Sequence, residues 1–348
     1  MIGEILLWLA VAAAGTAVVW KGSGLLESSS TKLSAYYRLP PVVHGAIVVA
    51  VGSSFPELST TVISALVHGQ FQLGVAAIVG SAIFNILVIP ALCGLFSPKP
   101  LEANRELVYK EAQFYMVSVA VLLVTFSFAV IYFPKSSESA GIITGEMNRL
   151  LALIPIGLYL LYVFVQFLES RESPTEEPEE KIAPGRQWLL FLGSLLIIVA
   201  GVEGLVRSAI NLGEIFDTPS FLWGFTVVAA GTSVPDAFVS VRAARKNNGV
   251  TALANVLGSN VFDLLVAIPA GVLVAGATVI NFSVAAPMMG LLTIATIALF
   301  LLMRTSMVLT RTESVILLVL YTAMVAWVTL ESIGIVNLLS GLLQTASG

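Results

Sequence analysis

Three carboxylates sit where an apolar chain would not ordinarily leave them. Glu57, Asp236 and Asp263 each fall well inside a long apolar stretch. An ionisable group at that depth costs about 2.5–3.5 kcal/mol to insert into a bilayer and by default marks an ion or substrate path. A protonated carboxyl, or one paired with a buried base, is the structural alternative. No buried Lys or Arg is at hand to pair with them, however, and the acids recur in equivalent surroundings. Ser53 and Ser54 precede Glu57 at i−4 and i−3, and Thr61 and Ser64 continue that helical face. Thr232 and Ser233 precede Asp236 at the same spacing, with Ser240 at i+4. Ser81 with Asn85, and Ser259 with Asp263, are again i, i+4 pairs. Such stripes of hydroxyl, carboxylate and amide oxygen, without His or Cys, suit hard cations; Ca2+ takes six to eight oxygens in a flexible shell. Gly52 and Pro56, like Gly231 and Pro235, stand just before the acids. Proline breaks the preceding turn and frees carbonyls, so Ala50 and Ala229 join the candidate ligands. Glu57 and Asp236 together neutralise one Ca2+ or two monovalent ions, and Asp263 offers a third charge.

The elements that carry these residues must span a membrane. The chain has 348 residues, 57% hydrophobic and only 11% charged, with a mean hydropathy of +0.95. Soluble domains carry about 25% charged residues, so a water-soluble fold is excluded. A net charge of −4 without a basic cluster argues against nucleic acid. The single cysteine, Cys93, permits no internal disulfide. Apolar runs predict ten helices near 3–20, 40–67, 72–96, 113–133, 148–168, 187–212, 220–242, 250–275, 284–303 and 312–331. The first run lacks a basic n-region and reads as a span, not a signal peptide.

All but three of the 17 Lys and Arg residues fall in odd-numbered loops; Lys135, Arg149 and Arg207 are the exceptions. Odd loops are therefore expected in the cytoplasm and both termini outside. The one strongly polar tract, 169–186, reads as a solvated acidic linker between the halves 1–168 and 187–348. Those halves repeat. Gly52-Ser53-Ser54-Phe55-Pro56-Glu57 returns as Gly231-Thr232-Ser233-Val234-Pro235-Asp236, 179 residues later. Gly80-Ser81-Ala82-Ile83-Phe84-Asn85 returns as Gly258-Ser259-Asn260-Val261-Phe262-Asp263, at an offset of 178. Five spans per copy is an odd number, so the copies enter the membrane in opposite orientation, the common plan of secondary transporters. The expected fold is an all-α polytopic membrane protein of two inverted five-helix repeats.

These motifs resemble those of the cation/Ca2+ exchanger superfamily, whose two repeats carry a GTS-x-PE type and a GSN-x-FN type segment. The chain is most similar to the K+-dependent Na+/Ca2+ exchangers, through His68-Gly69 and Ala244-Arg245-Lys246 beside the motifs above, but has no large cytoplasmic loop. The resemblance implies Glu57 and Asp236 as central Ca2+ ligands. It implies that Ser53, Ser54, Ser81, Asn85, Thr232, Ser233, Ser259 and Asp263 complete the Na+ and Ca2+ sites, with the Ala50 and Ala229 carbonyls. The Asp263 position is associated with K+ in the K+-dependent branch, yet some K+-independent prokaryotic exchangers also carry Asp there; coupling with and without K+ both stay open. The implied activity is Na+/Ca2+ antiport by alternating access at the cell membrane, with the first and sixth spans moving past the core. Its partners are the ions and the bilayer, with no cofactor, nucleic acid or obligatory protein partner.

Other readings compete. H+/divalent cation antiport belongs to the same superfamily. A cation channel would use similar oxygens, but selectivity rings usually come from symmetric oligomers. An intramembrane aspartyl enzyme would leave the repeated serines unexplained, so no enzyme activity is expected. His68 reads as an interfacial residue of the 67–70 turn, and His44 has no role. Glu203 and Arg207 form an i, i+4 pair near the outer face. Trp20, Tyr36, Trp188 and Trp327 read as interfacial anchors, and Asn281-Phe282-Ser283 fits a glycosylation triplet.

Overall fold

Backbone groups inside lipid must be satisfied within their own segment, which helices achieve. The computed structural model describes residues 2–37, 50–135, 142–169, 183–304 and 307–336 and is built on that plan. Its helices are α1 (Ile2–Tyr36), α2 (Ala50–Ser53), α3 (Phe55–Leu66), α4 (Phe71–Phe96), α5 (Ala112–Tyr132), α6 (Arg149–Glu169) and α7 (Pro184–Phe216), followed by α8 (Ser220–Trp223), α9 (Ala229–Arg245), α10 (Gly249–Phe262), α11 (Ile268–Ala275), α12 (Phe282–Arg304) and α13 (Arg311–Ser332). Three π-helical turns, Glu106–Glu111, Gly224–Val228 and Asp263–Ala267, lead into α5, α9 and α11. Among the described residues nine continuous helices are long and apolar enough to cross a membrane. The tenth expected span is α2 with α3; its beginning, His44 included, lies outside the described residues, as does most of the 169–186 linker.

The first span differs from expectation. It does not stop near residue 20 but continues to Tyr36, carrying Lys21, Glu27 and Lys32 on the helix instead of in a loop. At 1.5 Å per residue, α1 is about 50 Å long, well over the roughly 30 Å hydrocarbon core. Its second half buries Gly22, Ser23, Leu26, Ser29, Ser30, Leu33 and Ser34, a helical stripe too polar to register as an apolar run. Ser29 and Ser30 return their hydroxyls to the Leu26 and Glu27 carbonyls.

Among the described residues, five short strands, for which apolar runs contain no signal, lie outside the spans. β1 (Leu101–Glu102) pairs with β5 (Val308–Leu309), while β3 (Thr144–Asn148) lies between β2 (Pro134–Lys135) and β4 (Ala277–Asn281), all antiparallel. The first sheet joins the third and ninth loops and the second joins the fourth and eighth. Odd loops thus meet odd and even meet even, as alternating spans require. Asn281 is 5% exposed in this sheet, so the triplet there does not offer the surface loop that glycosylation needs.

Packing follows the duplication crosswise. α3 lies on α11 as α4 lies on α9, and α1 lies on α9 as α7 lies on α3. α1 and α7 cross closely at two glycines. A Cβ on Gly15 would stand 2.8 Å from the Gly201 carbonyl oxygen, and one on Gly201 would stand 2.9 Å from that of Gly15. The apolar side chains of this pair (Val19, Leu26, Ile198, Val202, Leu205) form a second cluster together with Ile63 of α3, Leu73 and Ala77 of α4 and Val228. A larger cluster surrounds α4 and α10, and the carboxylates lie within that part of the molecule.

Candidate cation site

The first-repeat motif breaks its helix. α2 ends at Ser53, Ser54 bends, and α3 restarts with Pro56 in its first turn and Glu57 beside it. The second-repeat motif does not: α9 runs unbroken through Pro235, and the irregularity sits upstream in the π turn Gly224–Val228. The kink expected at both prolines therefore forms at one of them. α4 supplies Ser81 and Asn85, and α10 supplies Ser259 and Asn260, with Asp263 opening the π turn that follows. Such turns are frequent at functional sites. Glu57, Asp236 and Asp263 are at most 1% exposed.

The side chains meet across the two repeats. Ser54 Oγ lies 2.7 Å from Ser259 Oγ, and its repeat counterpart Ser233 Oγ lies 2.8 Å from Ser81 Oγ. Ser81 Oγ donates to Glu57 Oε1 at 3.3 Å, and Ser259 Oγ donates to Asp236 Oδ2 at 2.6 Å. Asn85 Nδ2 reaches Asp236 Oδ2 at 3.4 Å and Asn260 Oδ1 at 3.0 Å. The duplication that was visible as two sequence offsets is thus a single buried network with two related halves. Thr232 and Ser233 hydroxyls both turn to the Ala229 carbonyl, which ties that expected ligand into the same cluster. Ser53 is half-buried and lines a cavity that reaches Asp236. Ala50 opens its described segment.

Some expected members stand apart. Thr61 Oγ1 bonds the Glu57 carbonyl and Ser240 Oγ accepts from Asn255, so the hydroxyl stripes stop at the acids. His68 lies in the turn after α3 and pairs with Glu203 Oε2 at 3.0 Å, while Arg207 holds Oε1 of the same carboxylate. Trp20 meets Phe238 with tilted rings, centroids 4.7 Å apart, within the α1–α9 contact and not at a helix end. Asn260 was not among the expected ligands. It donates to the Ala82 carbonyl and to Tyr115 Oη. The signal for it was the mismatch between the two motifs, since Ala82 is the residue that Asn260 replaces at an offset of 178.

Among the described residues, five buried acceptor oxygens in this cluster find no hydrogen-bond donor: Glu57 Oε2, Asn85 Oδ1, Asp236 Oδ1 and both oxygens of Asp263. Buried acceptors without partners are costly and rare. Among the described residues, no three His, Cys, Asp or Glu side chains converge on one metal position. The donor set is therefore mixed, with few charges and many neutral oxygens. That composition favours a labile hard cation over a tightly held transition metal.

The family described as sodium/calcium exchanger protein matches residues 7–168 and 186–330. An uncharacterized membrane protein of Methanocaldococcus jannaschii is 29% identical over 262 residues, covering 74% of this chain and 79% of its own. Sodium/calcium exchanger MaX1 of Methanosarcina acetivorans is 25% identical, covering 72% of this chain and 79% of its own. Among solved structures, the sodium-calcium exchanger NCX_Mj superposes with a TM-score of 0.60 at 22% identity, over 92% of this chain and 99% of that one, a likeness of fold. With both repeats inside the matched region, the chain belongs to the sodium/calcium exchanger protein family.

Proposed function

We propose that this protein is a secondary antiporter that exchanges Na+ for Ca2+ by alternating access. The observation that carries the reading is the set of five donorless buried oxygens, drawn from both repeats around Glu57 and Asp236. Glu57 and Asp236 balance one Ca2+ or two Na+, so this pair can be neutralised by either cargo. Neutrality matters because an empty, doubly charged pocket would be costly to carry through a low-dielectric membrane. Glu57 and Asp236 are the central ligands. Ser53, Ser54, Ser81, Asn85, Thr232, Ser233, Ser259, Asp263 and the Ala50 and Ala229 carbonyls supply the remaining oxygens for Ca2+ or Na+. The repeats 1–168 and 187–348 form the two halves of the site, joined by the 169–186 linker. The protein works in the cell membrane with the odd loops in the cytoplasm and both termini outside. It needs no cofactor or protein partner and acts by transport, not catalysis.

The matching family, and the similarity to the sodium/calcium exchanger MaX1, support Na+ and Ca2+ as the pair. The test is 45Ca2+ uptake by Na+-loaded proteoliposomes diluted into Na+-free medium, with and without external K+. Uptake should require the outward Na+ gradient and should be abolished by Glu57→Gln; full retention in that variant refutes the ligand assignment. Asp263, whose two oxygens lack donors, supports a second version in which K+ travels with Ca2+. Uptake that rises only with K+ selects that version, and indifference to K+ selects simple Na+/Ca2+ exchange. Uptake driven by a proton gradient alone would replace Na+ with H+.

A further inference from the structure

A cavity of about 490 Å³ runs between α1 and α9 from Asp236 to the odd-loop ends of both helices. Ser23, Glu27 and Thr31 line it at i, i+4 and i+8, so one face of α1 presents a ladder of oxygens to it. Ser53 and Asp236 lie at its inner end, and Lys32 and Arg242 at its mouth. Two buried oxygens in this lining, Ser23 Oγ and Asp236 Oδ1, have no hydrogen-bond partner among the described residues; the residues are 4% and 1% exposed. Glu27 faces Arg242 across the space, yet no ion pair within 4 Å joins it to a described residue.

Charge makes Glu27 the decisive group. Two cationic side chains at the mouth would repel an arriving cation, and Glu27 is the carboxylate placed between them and Asp236. The duplication does not account for it, because at the offset of 179 the second repeat has Val206, an apolar core residue. Conversely Glu203, on α7, corresponds to Gly24. The two ends of the transport path therefore carry different acids, at positions the repeat does not share.

We infer that Glu27 and Ser23 form a second cation subsite in the odd-side vestibule, taking a hard cation such as Ca2+ before it passes to Asp236. The identity of that cation rests on the exchange reading above; the existence of the subsite does not. Trp20 lines the same cavity, seven residues before Glu27 and so about 10 Å deeper. It can sensitise a luminescent Ca2+ analogue bound there.

The probe is Tb3+ with the purified full-length protein, excited through tryptophan. In Glu57→Gln, which disables the central cluster, a Ca2+-competed Tb3+ signal should persist. Adding Glu27→Gln should weaken its affinity at least tenfold, Glu27→Asp should restore most of it, and Trp20→Phe should dim it. An unchanged signal on adding Glu27→Gln to Glu57→Gln overturns the inference. So does the absence of any Ca2+-competed signal in Glu57→Gln when wild-type protein gives one. In transport, Glu27→Gln alone should raise half-saturating Ca2+ at the odd-loop face more than at the other face, and equal shifts at both faces count against the subsite. Wild-type protein that lacks Na+-driven Ca2+ uptake but keeps the Glu27-dependent Tb3+ signal would sink the exchange reading and leave the subsite standing.

Discussion

Ser259 shows what a single hydroxyl does here. It donates to Asp236 Oδ2 at 2.6 Å while its oxygen meets Ser54 of the other repeat at 2.7 Å, so it fixes the carboxylate and links the repeats at once. A hydrogen bond to a charged group contributes about 1.5–3 kcal/mol. Ser259→Ala should therefore raise half-saturating Ca2+ by roughly tenfold or more. Ser240→Ala removes a repeat-stripe hydroxyl that accepts only from Asn255, away from the cluster, and should leave affinity within about twofold. Equal effects of the two in a 45Ca2+ uptake titration would place the stripe, not the network, in control. Most of this cluster was legible in the sequence because its members are acids and hydroxyls at matched offsets in apolar runs. Asn260 was not, since its partners Ala82 and Tyr115 lie 178 and 145 residues away. Glu27 was hidden by the polar half of α1, which carries no apolar run to mark it as helix.

At the scale of elements, the spans other than the polar second half of α1 follow from apolar length. Their irregularities do not. A π turn is a local widening set by what a helix packs against, and Gly224–Val228 packs against α4 at Gly80. A Cβ on Gly80 would overlap the Phe225 carbonyl, and its other close neighbour is the Ala229 Cβ at 2.9 Å. The glycine that opens the Gly-Ser-Ala-Ile-Phe-Asn motif is thus present for close approach of two backbones, immediately before Ser81 and five residues before Asn85. Gly80→Ala must displace α9, and overpacking of this kind costs about 1–3 kcal/mol. The expected result is a Tm lower by roughly 2–10 °C, with Ca2+ affinity weakened in the protein that stays folded. Gly157→Ala, at an exposed glycine of α6 with no described atom within 4 Å of the added carbon, should keep or raise Tm. A Gly80→Ala protein as stable as Gly157→Ala would refute the close-approach account.

For the whole molecule, the division into two apolar clusters matters more than any one helix. α1 and α7 pack chiefly on each other, crossing at Gly15 and Gly201, and touch the rest through a small apolar seam of Ile63, Leu73, Ala77 and Val228, while the larger core surrounds α4 and α10. A pair packed that way can slide along the core without opening the ion cluster. On the even-loop side the slide meets the His68–Glu203–Arg207 link between α7 and the end of α3; on the odd-loop side it meets the cavity that reaches Asp236. The cavity leads from Asp236 toward the odd-loop face, and movement of the α1–α7 pair is what would open a path to the other. The chain lends itself to a direct test because its single cysteine, Cys93, is buried. In a Cys93→Ala background, Val239→Cys, which lines the cavity, should react with a membrane-impermeant thiol reagent added at the odd-loop face and not at the other. Saturating Ca2+ and saturating Na+ should give different labelling rates, because differently occupied sites favour different positions of α1 and α7. Identical rates from both faces would mean a path open throughout, as in a channel. Identical rates in both ions, from one face, would mean a pair that does not move with its cargo, and alternating access by this route would fail.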